Sequence, residues 1–259
     1  MLRSVHIFRW LRIAVWALAA ASCALTGAFA AGASRIGYFQ TLDGSVGFVL
    51  DRSGETPKQR YDGAPEILLL EPAPAARGDT IFRQSDGLIV LRETPYGAMT
   101  FFSRRYVKGV AVLRLSDAVA LVSAPRSADE VAASANALAD HLTASLGVRV
   151  PVALPAIPLS PIALGILDEA VVNTGLAFDR LLARPARAAG LAALVHAVEY
   201  RIAAKPGGSL AKATLIVNVA PSHGLMGRLA SLQIESLLSG GLAAAPARAQ
   251  GGAAFDQQN

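Results

Sequence analysis

The chain has 259 residues and one cysteine, Cys23, which excludes a disulfide framework and a cysteine-based metal site. Stability must come from an ordinary apolar core, and the length suits one domain or two small ones. The formal charge of +5 falls to +2 without Arg3, Arg9 and Arg12, and the 20 arginines and 4 lysines are scattered rather than interleaved with aromatics, which argues against a nucleic-acid surface.

Those three arginines open the chain, and residues 13–34 follow without a charge. The run reaches Ala28-Phe29-Ala30, a small-x-small site for cleavage before Ala31. The pattern predicts a cleaved export signal over residues 1–30 and a periplasmic protein. Two alternatives share the same residues. The 22 uncharged positions are long enough to span a bilayer if uncut, giving an inner-membrane anchor. Cys23 follows Ala20-Ala21-Ser22 as in a loose lipobox, without the leucine at minus three, so lipidation is the third reading.

From residue 37 to about 115 the signals are those of strands. Short runs rich in β-branched and aromatic residues cover 46–50, 66–71, 80–83, 88–92, 98–103 and 107–113. Asp43-Gly44, Asp62-Gly63, Arg77-Gly78-Asp79, Asp86-Gly87 and Pro95-Tyr96-Gly97 punctuate them. The spacing predicts an antiparallel meander or a small barrel-like sheet, with Asp86-Gly87 as its clearest hairpin. Pro72 and Pro74 are expected to break the strand before them and mark a loop.

Helical periodicity then takes over. Ser127 and Glu130 form a capping box, Val131, Ala135, Leu138, Leu142 and Leu146 share one face, and Gly147 supplies the stop. Residues 148–158 carry three prolines and read as an extended connector. Ser160-Pro161 starts a second helix with a stripe of Leu164, Leu167, Val171, Phe178 and Leu181, and Pro185 ends or kinks it. Residues 194–202 alternate as a strand, although 191–204 also passes as a helix. Pro206-Gly207-Gly208 is read as the turn of a hairpin whose second strand is 212–219. A last helix is expected near 228–238, and residues 240–259 read as a disordered tail.

The pattern predicts an α+β fold: an N-terminal antiparallel β meander, two or three helices, then a C-terminal β-hairpin plus helix. Residues 31–239 form one exported domain, β-rich over 37–115 and helix-rich over 127–239.

Chemistry is sparse. Nucleophile-elbow, His-Glu-x-x-His, phosphate-loop and dinucleotide patterns are lacking. No catalytic, cofactor-binding or metal-ligating residue is therefore assigned. His141 sits at the edge of its helix stripe, and its neighbour Asp140 points about 100° away, so the pair cannot work together. Asp168, Glu169 and Asp179 read as surface charge. Arg180, Arg184 and Arg187 form a basic stripe only if the helix passes Pro185. Arg104, Arg105, Tyr106 and Lys108 read as a solvated turn, with an anionic lipid or lipopolysaccharide surface as the sharper alternative. In residues 218–228, Pro221-Ser222-His223-Gly224 and Gly227 read as an ordinary strand-to-helix loop, with the sharper alternative of a helix start that His223 and Arg228 would equip to hold an anion.

Asp43-Gly44-Ser45-Val46-Gly47-Phe48-Val49-Leu50, Arg77-Gly78-Asp79-Thr80-Ile81-Phe82 and Leu91-Arg92-Glu93-Thr94-Pro95-Tyr96-Gly97 carry a resemblance. Over most of the length after the signal, the chain resembles an uncharacterised family of exported alphaproteobacterial proteins, a domain of unknown function. The resemblance implies export and one compact unit, and brings no site residues. The leading expectation is a periplasmic or envelope-associated protein acting by binding or structure rather than catalysis. It would have no cofactor and no disulfide or nucleic-acid partner; envelope or membrane-surface contact is one alternative, and the sequence names no partner. The rival is a periplasmic hydrolase with a polar site near His223.

Overall fold

The computed structural model describes residues 35–244; the predicted signal over 1–30 lies outside the described residues. The described residues begin with a meander of nine strands: β1 (Ile36–Thr41), β2 (Gly47–Asp51), β3 (Lys58–Tyr61), β4 (Leu68–Leu69), β5 (Glu71–Pro74), β6 (Thr80–Arg83), β7 (Ile89–Glu93), β8 (Met99–Phe101) and β9 (Val110–Asp117). Their order in the sheet is β4-β3-β2-β1-β9-β8-β7-β6-β5, with every neighbouring pair antiparallel. The two edge strands, β4 and β5, are consecutive in the chain and separated only by Leu70. The sheet therefore curls until its edges meet through the backbone itself.

Period-2 alternation fills the inside of this barrel. Phe39, Phe48, Leu50, Leu70, Phe82, Leu91, Met99 and Phe101 form one buried cluster drawn from strands all around the sheet. Phe48 sits at its centre, 5.7 Å from the Phe39 ring and 5.9 Å from that of Phe101. Each such side chain contributes about 1.5–3 kcal/mol by leaving water. Bulges between Tyr38 and Phe39 and between Phe82 and Arg83 add the local twist that a curled sheet needs.

One expectation fails here. Pro72 and Pro74 do not break the sheet; they lie in β5, opposite Phe82 and Thr80. Alternate residues face the same side, and the Ala75 N–H reaches back to Asp79 O at 2.8 Å, so the two prolines put their missing N–H groups on the unpaired edge. β1 and β3 fall outside the predicted runs; β3 lacks a β-branched run and places Gln59 at its fully buried position.

After β9 the chain builds α1 (Ala128–Leu146), β10 (Val152–Ala153), α2 (Pro161–Leu182), α3 (Pro185–Leu194), β11 (Ala197–Ile202), β12 (Gly207–Ala211), β13 (Thr214–Val219), a 3-10 turn over Pro221–Gly227 and α4 (Ser231–Ala244). The fold is α+β, with the predicted sequence of sheet, helices, C-terminal hairpin and helix. In α1 the capping box, the five buried stripe residues and the left-handed Gly147 cap (φ 69°) are as predicted. The predicted connector over 148–158 contains β10, paired in parallel with β11.

The C-terminal hairpin has different members from those expected. Gly207 and Gly208 belong to a strand, β12, which pairs with β13, while β11 runs parallel to β13 on its other side. The hairpin turn is Lys212-Ala213, with φ of 49° and 60°. Both residues lie in the left-handed region usually given to Asn-Gly, so composition concealed the turn.

α2 is the central helix of this half. Its composition and length would suit a membrane span, yet more than half of its apolar window is buried against its neighbours. Leu167, Val171, Phe178 and Leu181 are buried as predicted, and Ala170, Thr174 and Ala177 join them. Gly165 lies under the chain at residue 124, where a Cβ would sit 2.1 Å from the Ala124 carbonyl oxygen. α4 continues to Ala244, so residues 240–244 of the expected tail are helical, with Leu242 packed on the core. The rest of that stretch lies outside the described residues.

Candidate functional site

The loop over 218–228 is the ordinary strand-to-helix connection, and the alternative anion site does not form there. His223 lies exposed in the 3-10 turn, its N–H bonded to the Ala220 carbonyl at 2.9 Å. Arg228 turns the other way, into the protein. Its Nε donates to Glu169 Oε2 at 2.6 Å and its Nη2 to the Ile67 carbonyl at 2.7 Å. The Arg228 side chain is fully buried and its charge is matched internally. Gly227 serves close packing, since a Cβ there would sit 1.9 Å from Ala220 O.

A helix start does hold an anion, but three residues further on, and the anion belongs to the protein. Glu66, from the loop before β4, accepts the Ser231 N–H at 2.9 Å and the Ser231 hydroxyl at the first turn of α4. Arg180 of α2 donates to Ser231 Oγ at 2.6 Å and reaches Glu66 at 3.4 Å. Free N–H groups and the helix dipole favour a carboxylate at this place. Asn173 adds a bond from its amide to the Leu229 carbonyl at 2.8 Å. Glu66, Glu169, Asn173, Arg180, Arg228 and Ser231 thus tie the barrel, α2 and α4 together.

The surface-charge reading of Asp168 and Glu169 is therefore corrected. Asp168 is buried and pairs with Arg126 at 3.1 Å, and Glu169 holds Arg228. Asp179 is exposed as expected, and sequence distance hid its partner: His141 of α1 lies 2.7 Å from it. Both side chains are about half exposed, a setting in which such pairs contribute little. The conditional basic stripe does not form, because α2 ends at Leu182. Arg180 goes to the Glu66 site and Arg187 to Ser239 at 2.9 Å.

At the barrel end, Asp43 organises the β1–β2 turn and the β8–β9 loop together. It accepts the Tyr106 phenol, the Thr41 hydroxyl at 2.7 Å, and the Ser45 N–H and hydroxyl. These bonds, that of Tyr106 first, hold its carboxyl well below the usual carboxylate range. Four bonds converge on this one carboxylate, so the cluster is an anchor for the loop. Arg105 stacks over the Tyr106 ring at 5.3 Å. The predicted solvated turn at Arg104-Arg105 is confirmed as an exposed loop.

A cleft of about 1230 Å³ opens between the barrel wall and helices α2 and α4. Leu88, Ile89, Phe102 and Val107 line it from the barrel, and Leu176 and Leu232 from the helices. Leu88 is 59% exposed and Val107 79%. Arg104 and Arg184 also line it, beside Glu66 and Arg180. Sequence reasoning missed this site because its residues run from 61 to 235. The available signal was local: apolar Leu88-Ile89 beside a hairpin turn, and Val107 inside a basic loop. Among the described residues no group of three His, Cys, Asp or Glu is placed to hold a metal ion.

Residues 22–238 match the family model described as a domain of unknown function, DUF4908, and the chain belongs to that family. Comparison with curated proteins and with solved structures gave no match.

Proposed function

We propose that this DUF4908 member is an exported, envelope-side protein that works by holding an apolar ligand rather than by catalysis. The cleft carries this reading. Its volume exceeds the ~1,000 Å³ upper range of ordinary small-molecule pockets, and aliphatic side chains from both halves of the fold face it. Apolar surface left open to water in a concave place is a cost that an apolar ligand removes.

Uptake of the uncharged dye Nile red tests the reading. The purified protein should enhance its fluorescence saturably, and Leu88→Asp or Val107→Asp should weaken that while circular dichroism stays native. An unresponsive wild-type protein rejects the cleft as a binding site. The enzymatic rival predicts something different: turnover of an ester, phosphate, glycan or peptide that His223→Ala abolishes. Against that rival, His223 is exposed and makes no side-chain hydrogen bond to an acid or hydroxyl among the described residues.

Export rests on the basic start, apolar run and Ala28-Phe29-Ala30 of the sequence. Intact mass of the periplasmic form should place its first residue at Ala31. Retained Met1 would instead make the protein membrane-anchored, and a diacylglyceryl mass on Cys23 would make it a lipoprotein.

A further inference from the structure

We infer that the cleft takes a single anionic amphiphile, with its aliphatic tail on the Leu88–Val107–Leu232 lining and its head group against Arg104 and Arg184. The inference rests on the cleft-binding reading and adds the ligand's chemistry.

Three observations lead to it. The first is the lining, which is mainly aliphatic, with Leu, Ile, Val, Ala and Pro side chains and only Tyr61 and Phe102 as aromatics. Such a wall suits a flexible alkyl chain better than a sugar or a planar ring, which bind through stacking and convergent polar groups. The second is charge. Arg104 and Arg184 face the cleft, Arg105 and Lys108 flank Arg104 on the exposed loop, and none of the four has an acidic partner among the described residues. The acids nearby are mostly engaged. Glu66 is held by Ser231 and Arg180, and Asp86 accepts the Leu88 N–H of its own hairpin at 3.0 Å. Asp86 and Glu235 are the lining acids without an ion pair, and Arg104, Arg105, Lys108 and Arg184 outnumber them, so the unpaired charge around the cleft is positive.

The third observation removes one of the sheet's two edges from the main alternative, an extended apolar peptide. A peptide adding to the barrel edge needs free backbone N–H and C=O groups in register. The β5 edge presents Pro72 and Pro74 outward and so cannot supply the N–H groups. An alkyl chain needs none. The loop bearing Arg104 is also held in place, because Tyr106 is tied to Asp43 and its N–H to Ser103 Oγ at 3.2 Å. Little ordering cost then remains for the head-group contact.

Titration calorimetry on the full-length protein, below the micelle concentration, separates the parts. The probes are dodecyl phosphate, dodecyl maltoside with the same tail and no charge, and inorganic phosphate with no tail. Dodecyl phosphate should bind at least about tenfold more tightly than dodecyl maltoside, as one charge-assisted contact would provide, and inorganic phosphate should not bind measurably. Arg104→Ala with Arg184→Ala should remove that preference and leave maltoside binding unchanged. Leu88→Asp should weaken both detergents. Equal affinities for the two detergents, or a preference that survives the double arginine variant, overturns the anionic head group while Nile red uptake still upholds the cleft. Dodecyl phosphate binding that Leu88→Asp leaves intact would mean adsorption elsewhere and overturns the inference, as would no binding at all.

Discussion

The barrel interior and the seam between barrel and helices are both buried, yet opposite chemistry holds them. Inside the barrel, Phe39, Phe48, Leu50, Leu91 and Phe101 meet as hydrocarbon on hydrocarbon, and a lost contact can be shared out by local collapse. At the seam, Glu66, Glu169, Arg180, Arg228 and Ser231 meet through directed bonds, and each group depends on its partner. A hydrophobic core degrades in proportion to what is removed. An ionic seam with buried members fails when one is lost, because a partner such as Glu66, or Glu169 with little water around it, is left charged and unpaired.

Removing single members of each region tests that contrast most strongly. Arg228→Ala strands Glu169 and the Ile67 carbonyl and should cost about 3–5 kcal/mol. Arg228→Met with Glu169→Gln should recover much of the loss, since the burial then lacks a lone charge. Leu50→Ala should cost about 2–5 kcal/mol, and no compensating second change in its neighbours should restore it. Thermal melts of the four proteins decide the matter; a double variant no better than Arg228→Ala would mean that the seam works by packing alone.

Acid provides a gentler probe of a buried carboxylate. Asp51 lies where the barrel meets the segment before α1 and accepts bonds from Ser53, Lys58 and the Leu121 N–H. Burial is the largest single influence and pushes its pKa up, but the Ser53, Leu121 and Lys58 bonds together bring it down to about 2. Its folded pKa lies below the unfolded value, so its stabilising contribution is present above about pH 4 and lost as pH falls towards 2. The contribution is on the order of 2 kcal/mol. Denaturant midpoints of wild type and Asp51→Asn, compared at pH 6 and pH 2.5, should converge as the solution is acidified. A constant gap would show that the carboxylate's charge is not what matters.

The α4 end gives a smaller effect. Stopping the chain after Gly240 removes Leu242 from the core and should lower stability by about 1–3 kcal/mol, whereas stopping after Ala244 should leave the melting temperature almost unchanged. Equal melting temperatures would place Leu242 outside the stabilising core. The smallest change is a gain. Lys212-Ala213→Asn-Gly suits the two left-handed residues of the β12–β13 turn and should add about 0.5–1 kcal/mol. A loss would mean that the Lys212 or Ala213 side chain has a role beyond the turn.

What could be read from the sequence follows the range of each interaction. α1 was legible to its last residue because its cap, stripe and stop lie within one stretch of chain. The β6–β7 hairpin was legible because Asp86-Gly87 lies between two apolar runs. β3 and β5 were not, since Gln59 and the two prolines are tolerated by positions that only the assembled sheet defines. The same holds for Asp168, Glu169 and Arg228. Each looks like surface charge or a free ligand-holder until residues dozens of positions away are brought against it. The cleft was the least legible feature, because two halves of the fold build it and no segment signals it alone.

The strand order also constrains how the barrel can assemble. Apart from β1 with β9, every pair of neighbours in the sheet is also consecutive along the chain. β1–β4 can therefore zip as one ribbon and β5–β9 as another, each through short turns, before either touches the other. Bringing Gly37 against Asp117 closes the longest loop of the barrel, and its entropy must be met before that pairing returns anything. Lesions in the β1–β9 pairing should therefore slow folding while equal lesions in β6–β7 mainly speed unfolding, which folding and unfolding rates of matched variants would check. A barrel whose equilibrium core is uniform would then have a kinetic weak point at one strand pair.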